Sequence, residues 1–373
     1  MIVDTNQKKH IQSSIEGLRG IAAVTVSLVH MQFAPSFFTE NFLVKGAGWP
    51  VDLFFVISGF VICYAYGESI LTFKNLTHFS YKRFLRLYPL HLITLVLLVF
   101  LEFARYFGEI FSPGTIMTPA FSTSNFSSFI SNLFLVHVLT GQIHSFNGPS
   151  WSISAEFVTY LTFGAMILVF RAYSKLKLFF ISSITSFLVI YFNEYINFPA
   201  HFLLLFKCIY GFSLGGVVFY LLQNYPSKKL NGALNVNISI ILAIIMIYLD
   251  SNLINKNLLN IVFAWLIYSL VSSENQTFVS RLLANKFFQH IGKVSYSIYM
   301  WHVIVWMIIT NILRFGFGNN GVILDGVRYM YWSTGTSIFI TIVSLSALIF
   351  ISTISFNLVE KRFRISTTFA DRR

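Results

Sequence analysis

Charge is scarce in this chain. Asp, Glu, Lys and Arg make up 11% of its 373 residues, against 55% hydrophobic residues. A water-soluble domain carries about 25% charged residues, so a soluble globular fold is excluded. Cysteine is nearly absent as well. Cys63 and Cys208 both lie in apolar runs, which suits core packing and argues against a disulfide framework. No Cys/His cluster has metal-ligand spacing and no glycine-rich phosphate loop is present, so no metal is expected. No internal repeat is evident. No small-residue cleavage site follows the first apolar run, which reads as a retained helix and not a removed signal peptide.

What is present is apolar length. A mean hydropathy of +0.69 and 42 Phe indicate an all-α integral membrane protein with many crossings. At about 20 apolar residues per crossing, ten spans are predicted, near 17–35, 50–67, 84–105, 151–171, 177–193, 201–222, 234–250, 257–272, 291–313 and 334–358. The net charge of +12 does not point to nucleic acid, because the basic residues sit between the apolar runs and not in a patch with interleaved aromatics. The tail 1–16, the loops near 68–83, 171–177, 223–233 and 273–290, and the tail 359–373 hold 17 Lys and Arg. The alternate loops hold only Lys45, Lys256, Arg314 and Arg328. That imbalance predicts both termini in the cytoplasm. The expected organisation is a single membrane domain over 1–373, with its core at about 14–360 and polar cytoplasmic tails at 1–14 and 361–373.

The loop 106–150 stands apart. It has no Lys or Arg and is rich in Ser, Thr, Asn and Phe. The topology makes it external. Its run Phe126 to Thr140 is apolar but too short to span, as an interfacial or re-entrant segment would be. Long ordered loops are usually functional, so this one is a candidate acceptor-binding element, with a loose connector as the alternative.

Ionisable residues at membrane depth are expensive and tend to face the protein interior. Arg19 and His30 are eleven residues apart in the first apolar segment. On a helix that is about three turns, one face and roughly 16 Å of axis. Asp52 opens the second span beside Pro50, where a helix start favours an acid. From there it would meet His30, fix its tautomer and raise its basicity, the orienter and base of general-base catalysis. Glu156 follows Trp151 in SWSISAEF, where the pair suits a sugar or another polyol and the carboxylate could instead support the catalytic His or form an interhelical hydrogen bond. The ninth span carries SYSIYMWH, which places Tyr299 and His302 on one face as a substrate-facing or helix-gluing stripe. Arg83 and Arg86, at i and i+3 near the cytoplasmic start of the third span, form a fork for phosphate, with Lys293 as a further charge.

In this order, IEGLRGIAAVTVSLVH, GWPVDLFFVISGFVI, KRFLRLYP, PSWSISAEF and SYSIYMWH make the chain resemble the acyltransferase-3 family of bacterial membrane acyltransferases, which modify surface glycans, peptidoglycan or small molecules. The resemblance runs from about residue 14 to FNLVEKRF near residue 360. It implies ten core helices, cytoplasmic termini, an acyl donor that is usually acetyl-CoA and an acceptor presented from the outer side. The family's basic-residue-to-His motif falls on Arg19 and His30, and its paired arginines on Arg83 and Arg86. Phe363 stands where the family frequently has Pro after the Glu-Lys pair. The length resembles the stand-alone type, without a fused hydrolase-like domain.

The expected function is O-acylation, with acetyl from acetyl-CoA, of a cell-surface polysaccharide or its precursor (the O-antigen of lipopolysaccharide, capsule or exopolysaccharide) in the bacterial inner membrane, with membrane lipid and a glycan or lipid-linked glycan as partners. Arg83, Arg86, Lys293 and Arg19 would hold the donor. His30, oriented by Asp52, would deprotonate the acceptor hydroxyl or carry the acyl group itself. The alternatives are a small-molecule O-acyltransferase, a proton-coupled transporter and a non-catalytic scaffold. No motif sets the oligomeric state.

Overall fold

The computed structural model describes residues 5–35, 40–45, 48–111, 119–225, 232–249, 253–273, 277–319, 321–324 and 327–363. Its helices, in chain order, are α1 (Thr5–Val29), α2 (Trp49–Tyr66), α3 (Phe73–Phe111), α4 (Phe126–Leu133), α5 (Trp151–Val169), α6 (Lys175–Tyr191), α7 (Ala200–Asn224), α8 (Gly232–Tyr248), α9 (Leu253–Ser272), α10 (Phe278–Leu283), α11 (Lys286–Lys293), α12 (Ser295–Asn311) and α13 (Thr334–Ser355). One departure from an all-helical chain is a small antiparallel hairpin, β1 (Val322–Leu324) with β2 (Val327–Tyr329), in which Val322 faces Tyr329.

Each predicted span falls on a helix. Among the described residues six helical stretches are long and apolar enough to cross a membrane: Trp49–Tyr66, Phe73–Phe111, Gly148–Val169, Ala200–Asn224, Ser295–Gly316 and Thr334–Phe363. The other expected spans fall on α1, whose start TNQKKH is polar, on the 17-residue α6, and on α8 and α9, where the apolar stretches Leu234–Tyr248 and Lys256–Ser272 are shorter. The chain is a multi-pass membrane protein.

Several boundaries differ from expectation for local reasons. The expected polar tail 1–14 is helical from Thr5. Helix α1 stops at Val29, short of residue 35, because its last carbonyls find other donors: Trp306 Nε1 donates to Ser27 O at 2.7 Å and Met31 N to Leu28 O at 3.1 Å. Met31 and Phe33 then turn back into a core shared with Ile298 and Trp306. Helix α3 begins eleven residues before its expected start. Thr72 and Asn75 cap it reciprocally, with Asn75 N donating to Thr72 Oγ1 at 3.2 Å and Thr72 N to Asn75 Oδ1 at 3.1 Å. At 39 residues α3 is about 58 Å long, far beyond a bilayer's hydrocarbon core. The ninth predicted span is broken at Val294 into α11 and α12. The tail 361–373 begins as helix through Phe363, and residues 364–373 lie outside the described residues, as do 112–118 of the loop 106–150.

Helix α2 is central and packs on α7, α1 and α9. Apolar side chains gain little from leaving lipid for protein, so membrane helices associate through close packing. Gly59 of α2 supplies it: a Cβ there would lie 1.9 Å from the carbonyl oxygen of Phe212 on α7. Helix α1 packs on α2, α11 and α12. Gln289 of α11 donates to Ser13 O at 2.6 Å, and His290 lies 2.9 Å from the Thr353 hydroxyl on α13. The start of α1 and the end of α13 therefore lie at the same end of the bundle.

Candidate functional site

Helices α1, α2, α3, α5 and α12 enclose a cavity of about 110 Å³. Arg19, Arg83, Arg86, Glu156 and Tyr299 all line it. The i, i+3 spacing puts Arg83 and Arg86 on the same side of α3, as the sequence implied.

The three arginines are held differently. Arg86 forms an ion pair with Glu360, and its guanidinium carbon lies 5.3 Å from the centre of the Tyr296 ring. Arg83 donates from Nη2 to the Tyr66 hydroxyl at 3.0 Å, and its Nε is buried with no partner among the described residues. The Arg19 side chain makes no hydrogen bond or ion pair among the described residues, yet stands within electrostatic reach of Arg86 and Glu156. Glu156 takes two hydrogen bonds on Oε1, from Ser58 Oγ at 2.6 Å and from the Tyr160 hydroxyl at 2.5 Å. The wall thus carries three guanidiniums against one carboxylate, with Glu360 behind Arg86.

His30 does not line this cavity. It sits one residue past the end of α1, exposed, with Nδ1 2.9 Å from Val26 O. A carbonyl only accepts, so Nδ1 carries the proton and Nε2 keeps its lone pair. His302 repeats the arrangement: Nδ1 lies 2.6 Å from Tyr299 O, and Nε2 is buried with no partner among the described residues. The two rings are 5.1 Å apart, and His302 is 5.7 Å from the Tyr299 ring that borders the cavity.

The structure does not bring Asp52 to His30. Asp52 faces α7, where its Oδ2 meets Lys207 Nζ at 3.0 Å, whereas His30 packs toward α12. The imidazole is oriented by its own helix's carbonyl instead. Lys293 is also elsewhere, its ammonium 5.2 Å from the centre of the Phe356 ring. Trp151 packs edge-on against Phe55 at 6.2 Å and does not line the cavity.

The sequence model of the family described as Acyltransferase domain matches residues 12–351, which takes in every helix that forms the cavity. The chain belongs to the acyltransferase-3 family. Among similar proteins, "Acyltransferase MdmB" of Streptomyces mycarofaciens is 31% identical over 160 residues, 40% of this chain and 38% of that protein. "Protein 2 in picA locus" of Rhizobium radiobacter is 39% identical over 85 residues, 22% of this chain and 42% of that one. "Peptidoglycan O-acetyltransferase OatA" of Listeria monocytogenes is 28% identical over 182 residues, 46% of this chain and 26% of that protein. The matched stretches therefore span less than half the length of these relatives. No solved structure matches the chain.

In this acyltransferase-3 chain the loop 106–150 is packed and not loose over its described part. Ser154 Oγ donates to Leu135 O at 2.7 Å, Asn147 Nδ2 to Met300 O at 3.1 Å and the Tyr299 hydroxyl to Pro149 O at 2.7 Å. Phe121, Leu135 and Phe146 all have positive φ, of 60°, 55° and 49°. Such strain in non-glycine residues gathers at functional sites. Sequence reasoning missed Ser58 and Tyr160, which hold Glu156, and Glu360, which holds Arg86. The signals for Glu360 were a lone acid in an apolar end, FNLVEKRF, and its place in the Glu-Lys pair of the family's end motif. It also missed His91 and His137, stacked at 6.0 Å where the loop meets α3.

Proposed function

We propose that this protein transfers an acyl group, acetyl from acetyl-CoA, to a hydroxyl of a cell-surface polysaccharide or its precursor. In this reading it crosses the bacterial inner membrane ten times. The bundle end that carries Ser13 and Thr353 faces the cytoplasm, and His30 faces the outer side. The observation that carries the donor assignment is Arg19. A guanidinium lining a cavity at membrane depth, without an ion-pair partner, is costly until an anion arrives. Arg83 adds a buried nitrogen, Nε, without a partner among the described residues. Guanidiniums bind phosphates through paired, charge-assisted hydrogen bonds, and coenzyme A supplies phosphates at one end of a long flexible arm. The arm would run along α1 from Arg19 toward His30, about 16 Å at helical rise.

At the far end, Nε2 of His30 takes the proton of the acceptor hydroxyl. The oxygen attacks the thioester carbonyl, the carbon–sulfur bond breaks, and the coenzyme A thiolate leaves to be protonated. His302 beside His30 helps to bind and orient the reacting groups. Glu156, with Tyr299, faces the reacting arm or the acceptor from the cavity, and the strained external loop presents the acceptor. The relatives' names, acyltransferase and peptidoglycan O-acetyltransferase, support acyl transfer to a hydroxyl.

The test is the O-acyl content of purified surface glycans from three strains: gene deleted, complemented with wild type, and complemented with His30→Ala at matched expression. Acyl groups restored by wild type alone support the reading. No difference among the strains removes surface glycans as the acceptor. Isolated membranes should also release coenzyme A from acetyl-CoA, which a transporter or a scaffold would not do.

A further inference from the structure

Glu360 is a buried carboxylate that neither the sequence motifs nor the relatives' names assign to any task. Its side chain is 1% exposed. It lies at the end of a π-helical turn, Phe356–Glu360, that follows α13, and such widened turns recur at functional sites. Both of its oxygens are used. Oε2 meets Arg86 Nη1 of α3, and Oε1 accepts from Ser297 Oγ of α12 at 2.5 Å. The neighbouring Lys361 and Arg362 are exposed and do not compete for it.

We propose that Glu360 is a positioning residue for the donor's anionic end: it fixes Arg86 so that its remaining N–H groups meet the phosphates. The proposal rests on the acyl-CoA reading above. Arg86 spends one nitrogen on Glu360, and its guanidinium lies by the Tyr296 ring, which itself borders the cavity. A guanidinium has five donors in a fixed fork, so one bond to Glu360 leaves four while setting the plane of the rest. The long arginine side chain otherwise loses rotamer freedom when ligand binds, and a site fixed beforehand avoids that cost. Glu360 also offsets one of three like charges that gather on one cavity while the donor is absent.

The test uses the full-length protein purified in detergent, with Glu360→Gln and Ser297→Ala. Glu360→Gln keeps the shape but removes the charge and replaces one accepting oxygen with a donating NH2 group. Coenzyme A affinity, measured by titration calorimetry, should weaken about tenfold in Glu360→Gln and by a few-fold in Ser297→Ala. With acetyl-CoA as donor, KM should rise while kcat changes less than about twofold. With acetyl-pantetheine, which lacks the phosphates, wild type and variants should behave alike. Equal coenzyme A affinity in wild type and Glu360→Gln overturns the proposal. So does a parallel loss with acetyl-pantetheine, which marks a structural staple. If Glu360→Gln does not accumulate, Ser297→Ala decides: weaker coenzyme A binding supports the role, and unchanged binding overturns it. Wild type that binds no coenzyme A overturns the donor reading itself, before any variant is compared.

Discussion

His30 and His302 pack ring to ring at 5.1 Å, and each gives its Nδ1 proton to a carbonyl of its own helix, Val26 O and Tyr299 O. Two Nε2 lone pairs are left at one place, one exposed and one buried. The exposed one is suited to be the base and the buried one to hold a hydroxyl or a water beside it. General-base catalysis contributes about 10²–10⁴-fold, so His30→Ala should lower kcat by at least about a hundredfold and abolish the acid limb of the kcat/KM profile. That limb arises because only neutral imidazole accepts a proton, so wild-type activity falls as pH drops. His302→Ala should lower kcat by about tenfold and leave the KM for acetyl-CoA unchanged, since it does not line the cavity that the arginines share. Steady-state kinetics from pH 5 to 8 check both; a flat wild-type profile would count against His30 as the base.

Arg19 should govern donor binding and not chemistry. Hydrogen bonds to charged groups are worth about 1.5–3 kcal/mol, or roughly ten- to a hundredfold in affinity. Arg19→Gln should therefore raise the KM for acetyl-CoA by that factor with kcat little changed. Arg19→Lys should recover only part of it, because an ammonium lacks the planar fork. If Arg19→Gln lowers kcat at saturating donor, the residue acts in the chemical step instead.

The bundle was legible in the sequence because apolar length, charge placement and caps are local. Arg19, Arg83 and Arg86 were legible as one set and Glu156 and Tyr299 as part of another, because a charge or hydroxyl at membrane depth has few places to go; that the two sets share one cavity was not. Their partners were not. Ser58 and Tyr160 are ordinary residues of apolar helices until Glu156 meets them. Glu360 reaches Arg86 across 274 positions of chain. The Asp52–His30 pairing failed for the same reason: both residues lie near one end of the bundle, but the face of α2 that carries Asp52 turns toward Lys207. Helical period fixes which residues share a face and leaves open which neighbour that face meets.

Asp52 and Lys207 should behave as a structural pair. Their side chains are 3% and 22% exposed at 3.0 Å. Removing one partner of a buried pair costs about 3–5 kcal/mol, because the other charge is stranded; with Lys207 partly solvated, about 2 kcal/mol is expected here. Asp52→Asn and Lys207→Met should each lower the thermal midpoint in detergent, and the double variant should lose less than the sum, with a coupling of about 1 kcal/mol. The folded fraction of Asp52→Asn should keep most of its kcat. A collapse of kcat to the level of His30→Ala, without loss of stability, would restore Asp52 as the orienter of the base.

Gly59 tests whether close helix contact holds the site together. A Cβ at Gly59 would stand 1.9 Å from Phe212 O, and one at Gly215, on the facing helix, 2.1 Å from Val56 O. Neither obstacle is a flexible side chain, so α2 and α7 must separate to admit a methyl group. Overpacking of this kind costs about 1–3 kcal/mol. Gly59→Ala should lower the thermal midpoint, while Gly335→Ala, where nothing lies within 4 Å, should stay within about 0.5 kcal/mol of wild type. The consequence reaches function through the adjacent residue. Ser58 donates to Glu156 at 2.6 Å and lies 2.8 Å from the Tyr160 hydroxyl, so a shift of α2 loosens the carboxylate's anchor. Gly59→Ala should therefore lose activity beyond its loss of folded protein, and Ser58→Ala, which leaves the helix contact intact, should reproduce that part of the loss without the change in midpoint.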